Sequence, residues 1–183
     1  MSLPSRPIPA LERDAATALS ADGRLLEVAG HCLAEYLDKI ERATETLAPD
    51  DLWWRPDERL NSIANLILHL EGNLSLWILG NLGGRPFERD RAGEFAARGS
   101  AGRDELLARL RSVVDACREV ISGLSVDELA RARDVQTYRV DGYASLLHAV
   151  EHMSYHTGQI VWIAKLRLPP GAELEFYPQH RHE

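Results

Sequence analysis

Cysteine is scarce in this chain. Only Cys32 and Cys117 occur in 183 residues, in separate helical patterns and without CxxC spacing. They read as two small buried side chains in a reducing compartment rather than as a disulfide. A basic surplus is missing too: 21 Lys and Arg face 28 Asp and Glu, a net charge of −7. The arginines are interleaved with acidic residues, so no basic patch forms and nucleic acid is not an expected partner. No run of about 18 apolar residues stands out, so no membrane span is expected. The N-terminal MSLPSRPIPALERDAA has no apolar stretch and soon meets acidic residues, unlike a secretory signal. These absences point to the cytoplasm. Strand-like alternation is also nearly lacking.

What remains is helical. The length fits one domain with a real core, and the hydrophobic fraction of 45% is ordinary for a globular protein. In residues 24–47, Leu26, Ala29, Leu33, Leu37 and Ile40 recur at three-to-four spacing. APDDLWWRPDE breaks that pattern and has room for one short helical turn. A second helix is predicted over 61–80, opened by Asn61 and closed by Gly80. RPFERDRAGEFAARGSAG, 85–102, is polar and aperiodic and is expected to be a long crossing loop, of the kind that tends to be functional or mobile. A third helix should span RDELLARLRSVVDACREVISGL and stop near Gly123. A short one should follow, from the capping-box spacing of Ser125 and Glu128. The last long helix covers about 143–168, ended by Pro169 and Pro170. The expected organisation is an N-terminal extension (1–21), an all-α four-helix bundle (22–168) and an irregular tail (169–183).

HAVEHMSYHTGQI, 148–160, places histidines at 148, 152 and 156. Residues four apart on a helix lie about 6 Å apart along the axis and about 40° apart around it, so one HxxxH pair can chelate an ion. Positions eight apart are separated by about 12 Å, too far for imidazoles that must each sit about 2 Å from one ion. The ion takes 148/152 or 152/156. On the helical wheel His152 and His156 point with Ala149, Met153, Ile160 and Ile163, whereas His148 falls at the boundary. That favours the second pair, although Leu147, Val161 and Trp162 on the charged side blur the pattern and suggest a dimer surface. His69 is the candidate third ligand, lying with Leu66, Leu70, Asn73 and Trp77 on its own wheel. His31 and Cys32 are alternatives, and His180 and His182 in the tail read as solvated. Three neutral imidazoles without a carboxylate suit Zn²⁺ or Ni²⁺ and leave positions for water or substrate. The same histidines can also serve only as hydrogen-bonded core residues.

NSIANLILHLEGNLSLWI (61–78), RDRAGEF (89–95), HAVEHMSYHTGQI (148–160) and the preceding DLWWRP (51–56) resemble the DinB/YfiT-like superfamily of metal-binding four-helix bundles. The similarity runs over about 22–168, toward a subgroup of uncharacterised bacterial members. It implies a triad of one histidine from the second helix and an HxxxH pair from the last, here His69, His152 and His156. It further implies a divalent metal, a small-molecule substrate such as a bacterial thiol, and a homodimer. Some members transfer or isomerise thiol conjugates; others carry no assigned activity. The expected function is thus thiol or water activation at a metal, S-transferase-like or hydrolytic. The alternative is a non-catalytic, metal-stapled bundle acting in binding or stress response. Asn65, Asn73, His148 and Gln159 are candidates to orient ligands or substrate, with ordinary bundle hydrogen bonding as the competing role. Arg89, Asp90 and Arg91 are expected either to anchor the long loop, hold an anionic substrate, or form a structural ion pair. Trp53, Trp54 and Trp77 are expected in packing.

Overall fold

The structure, a computed structural model, describes residues 20–177. Most of the expected N-terminal extension, together with His180 and His182, lies outside the described residues. Helix α1 (Ala21–Thr44) is capped by Ser20, and it buries Ala29, Leu33, Leu37, Ile40 and Ala43 on one face. Its three-to-four spacing dictates that face. A single 3-10 turn, Pro49–Leu52, fills the break between the prolines.

Helix α2 (Ile63–Leu74) is capped by Ser62, not Asn61. The Ser62 hydroxyl accepts from the Asn65 backbone while the Asn65 amide oxygen accepts from the Ser62 backbone. A reciprocal box of this kind starts a helix at the residue whose side chain reaches back. The helix continues through a π-helical turn, Ser75–Gly80, where the Asn81 amide donates to the Leu76 carbonyl. Ile63–Gly80 is long and apolar enough, at mean hydropathy 1.2, to match a membrane span by length and composition. The expectation that no such run exists is corrected. With 72% of it buried inside the protein, it is the central helix of the core.

The stretch expected to be an uninterrupted loop carries a short helix, α3 (Arg91–Ala96), capped by Asp90. Helix α4 (Arg103–Ser122) ends at Gly123. Helix α5 (Val126–Ala130) is held by the Ser125–Glu128 capping box. A two-stranded antiparallel hairpin follows, β1 (Arg133–Val135) and β2 (Tyr138–Val140), in place of the expected irregular connection. Helix α6 (Gly142–Arg167), capped by Asp141, is the last regular element among the described residues. Its start packs so closely on α5 that a Cβ at Gly142 would fall 2.7 Å from the Leu129 Cα. The residues after it, 168–177, are irregular.

The four long helices form one bundle, with α1 against α4 and α6, and α2 against α4, α6 and α3. Its core is aliphatic: Leu33, Ile40, Ile63, Leu66, Ile67, Leu70 and Leu110 are fully or almost fully buried. Each contributes about 1.5–3 kcal/mol relative to an exposed side chain. Two consequences matter for function. The middle of α2 faces α6 across this core, and α3 lies on α2 where the chain crosses the bundle.

Candidate metal centre

Three imidazoles meet at the α2–α6 interface. The ligand-capable nitrogens of His69, His152 and His156 all lie within 4.8 Å of one another. His69 Nε2 and His152 Nε2 are 2.9 Å apart, and His156 presents its ring edge-on to both. The i, i+4 spacing on α6 stacks one member of the pair over the other, and α2 brings His69 to them from 83 residues away in the chain. His69 and His156 are buried, whereas His152 is half-buried and marks the solvent side.

Electrostatics favours the neutral form of His152 and His156. Burial, then the neighbouring imidazoles of His156, His69 and His148, push His152 down to about 3. Burial also lowers His156 despite the opposing hydrogen bond to Gln159. A neutral imidazole is the form that donates a lone pair to a metal. His156 Nδ1 lies 2.7 Å from the Gln159 side-chain oxygen, which accepts and so assigns the proton to Nδ1 and leaves Nε2 free. The donor set therefore fits a metal ion held by imidazole nitrogens.

The four orienting candidates separate. Gln159 touches His156 of the triad. His148 is half-buried, tilted against Trp77 at 4.1 Å and stacked on His152 at 5.3 Å, with burial lowering its pKa. Asn73 reaches His148 only weakly, at 3.5 Å. Asn65 serves elsewhere: its amide donates to the carbonyls of Glu94 and Ala97 and thus docks α3 on α2. His31 and Cys32 on α1 do not join the cluster, and both cysteines are unpaired, Cys117 being buried.

A carboxylate does stand beside the triad, contrary to expectation. Glu94 of α3 lies 2.8 Å from His69 Nδ1 and is bridged by Arg89, whose Nε and Nη2 reach its two oxygens at 2.7 and 2.9 Å. Burial opposes ionisation of Glu94. The bonds from His69 and Arg89 and the guanidinium charge outweigh it and hold the carboxyl below its usual range. Of the RDR run, Arg89 is the loop anchor, Asp90 caps α3, and Arg91 lies over the Phe95 ring, which itself packs on His69 at 4.6 Å. Glu94 was visible within RDRAGEF, but an aperiodic stretch gives no face and hence no direction. A cavity of about 320 Å³ opens beside this segment, lined by Leu68, Gly72, Phe87, Glu94 and Arg109. None of the three histidines lines it.

The pattern of the DUF1572 family, described as a protein of unknown function, matches residues 21–168. The chain belongs to that family. Its fold is also that of solved DinB-like proteins. A conserved protein from Enterococcus faecalis superposes with a TM-score of 0.66 at 16% identity, covering 82% of this chain and 98% of its own. A DinB-like protein from Bacillus subtilis gives 0.60 at 20% identity, over 82% and 97%. Another from Bacillus cereus gives 0.57 at 14% identity, over 72% and 85%. At these identities the likeness is one of fold. No curated protein matches the sequence.

Proposed function

We propose that His69, His152 and His156 hold one divalent ion, zinc or nickel, and that this DUF1572 protein uses it to activate a small thiol or water in an S-transferase-like or hydrolytic reaction. One observation carries the reading: three imidazole nitrogens from two helices converge within 4.8 Å in a largely buried setting. An ion held there by neutral ligands keeps its charge and lowers the pKa of a thiol or water beside it. The chain's own residues supply the rest. Gln159 fixes the His156 ring, His148 and Trp77 wall the site above His152, and Phe95 closes it beside His69. The half-buried edge at His152 is where a substrate would approach.

The joining of α2 to α6 also favours a second reading, in which the ion only staples the bundle. The two readings part on turnover. Purified protein should carry about one divalent ion per chain, and a panel of bacterial thiols with electrophiles should give adducts only with the metal present. Stoichiometric metal without any adduct or hydrolysis supports the staple; absence of metal rejects both.

We further propose a homodimer through α6. Leu147, Tyr155, Trp162 and Leu166 are exposed and spaced at seven to eight and four residues, one stripe on the outer face. Tyr155 and Trp162, exposed by 65% and 58%, are aromatic side chains of the kind that interfaces gather.

A further inference from the structure

The buried pair Arg89–Glu94 is an unusual expenditure for so small a bundle. Their side chains are only 7% and 10% exposed, and the His69 side chain 4%. Removing two charges from water costs several kcal/mol per ion unless the geometry and remaining hydrogen bonds compensate. The geometry is close to complete. Arg89 bridges both carboxylate oxygens and also donates to the His69 carbonyl at 3.2 Å. The pair lies over Gly72, one turn beyond His69 on α2. A Cβ there would stand 3.0 Å from Arg89 Nε and well inside contact distance of Glu94 Oε1. Asn65, one turn before His69, holds the far end of α3 through the Glu94 and Ala97 carbonyls. Three positions on one face of α2 thus receive this segment, and His69 is the central one.

The proton on His69 follows from counting donors. Nδ1 lies 2.8 Å from Glu94 Oε2 and 3.0 Å from Arg89 Nη2. Protonated, it donates to the carboxylate; unprotonated, it accepts from the guanidinium. Nη2 has two hydrogens, and two oxygens already accept them: Glu94 Oε2 at 2.9 Å and the His69 carbonyl at 3.2 Å. An ionised carboxylate, by contrast, only accepts. Nδ1 therefore carries the proton, and Nε2 turns its lone pair toward His152 and His156.

We infer that Glu94 is a positioning residue for the metal centre: clamped by Arg89 over Gly72, it fixes the His69 tautomer, so docking of segment 89–97 and metal affinity are coupled. This rests on the metal reading above, but the tautomer itself does not. A carboxylate behind a ligand histidine is worth about 10- to 100-fold in metal affinity. Because coupling between two equilibria is reciprocal, the ion must stabilise the docked segment by the same factor.

The test uses the full chain and three variants: Glu94→Ala, Glu94→Gln and Gly72→Ala. Gly72→Ala alters no ligand and retains the Glu94 carboxylate in the chain, yet its Cβ displaces the clamp from α2. In metal-free protein, imidazole ¹⁵N shifts should report His69 protonated at Nδ1, and Glu94→Ala should convert it to a mixture. Chelator competition with Zn²⁺ should give affinities about 10- to 100-fold weaker for Glu94→Ala and Gly72→Ala. Glu94→Gln, which keeps an acceptor, should fall between them and the parent. Hydrogen exchange at the amides of 91–97 should slow by a similar factor when Zn²⁺ binds the parent. Circular dichroism establishes that each variant is folded. A His69 ring protonated at Nε2 in the parent overturns the inference whatever the metal does. So do parental Zn²⁺ affinities in folded Glu94→Ala and Gly72→Ala. If the parent binds no Zn²⁺, the metal reading falls and the coupling with it, while the tautomer result still stands or falls on the ¹⁵N shifts.

Discussion

Replacing His152 by alanine separates a ligand from a packing residue. In the parent, an ion at a hundredfold excess over its dissociation constant stabilises the fold by about 2.7 kcal/mol. For a chain of this size that raises the melting temperature by about 5–11 °C, at about 2–4 °C per kcal/mol. His152→Ala leaves His69 and His156, one nitrogen from each helix. If affinity drops a thousandfold, the same metal concentration stabilises by less than about 0.1 kcal/mol, and the shift vanishes. The direct cost is smaller, because His152 is half-buried and its Nε2 meets only the other imidazole. A typical substitution of this kind costs about 1 kcal/mol. The metal-free variant should melt a few degrees lower than the parent, and added Zn²⁺ should move it no further. Calorimetry with and without Zn²⁺, with elemental analysis of the same samples, reads both quantities. A variant that keeps one ion per chain and the full metal-dependent shift refutes the ligand assignment. An equal drop with and without metal, at zero metal content in the parent, returns the histidines to a core hydrogen-bonding role.

Other expectations follow from the same geometry. Because burial and neighbouring imidazoles hold His152 down to about 3, the unfolded chain binds its proton first as pH falls through about 6.5. The metal-free fold should lose stability from about pH 6.5 toward 3, with the lowered Glu94 adding to the loss below about 4.5. Urea titrations in chelator at pH 7, 5.5 and 4 should show it, with a shallower fall for His152→Gln; a flat profile contradicts the assignment. Leu70→Ala, beside His69 and fully buried, should cost about 3–5 kcal/mol by denaturant unfolding while the folded fraction keeps its metal. Trp162→Asp should convert a dimer to a folded monomer in size-exclusion chromatography with light scattering; a monomeric parent rejects the α6 interface.

The first three long helices were legible in the sequence from their three-to-four apolar spacing, and Gly123 and the Pro169–Pro170 pair marked where the last two stop, although Leu147, Val161 and Trp162 blur the stripe on α6. The histidines were legible for the same reason: a wheel gives a direction to every residue on it. Glu94 had no wheel. Its carboxylate meets His69 only because Asp90 caps a six-residue helix and because Gly72, which in sequence reads merely as a weak helix former, leaves room above α2. The three-residue strands of the hairpin are too short to display alternation. Asn61 and Ser62 are both good caps, and what decides between them is the reach of Asn65 back to Ser62, a three-residue spacing hidden by the usual preference for Glu or Gln there.

The π-helical turn at Ser75–Gly80 carries one more residue than the regular helix would in its place. Loss of a single residue within it would let α geometry close over the gap, and residues beyond the turn would keep their phase relative to His69. Trp77, which lies inside the turn, would lose its place beside the His148 ring, while the chain would enter the crossing segment as before. A deletion in this turn is therefore a different class of change from a substitution at the three histidines: it removes the wall beside His148 while leaving every imidazole in place.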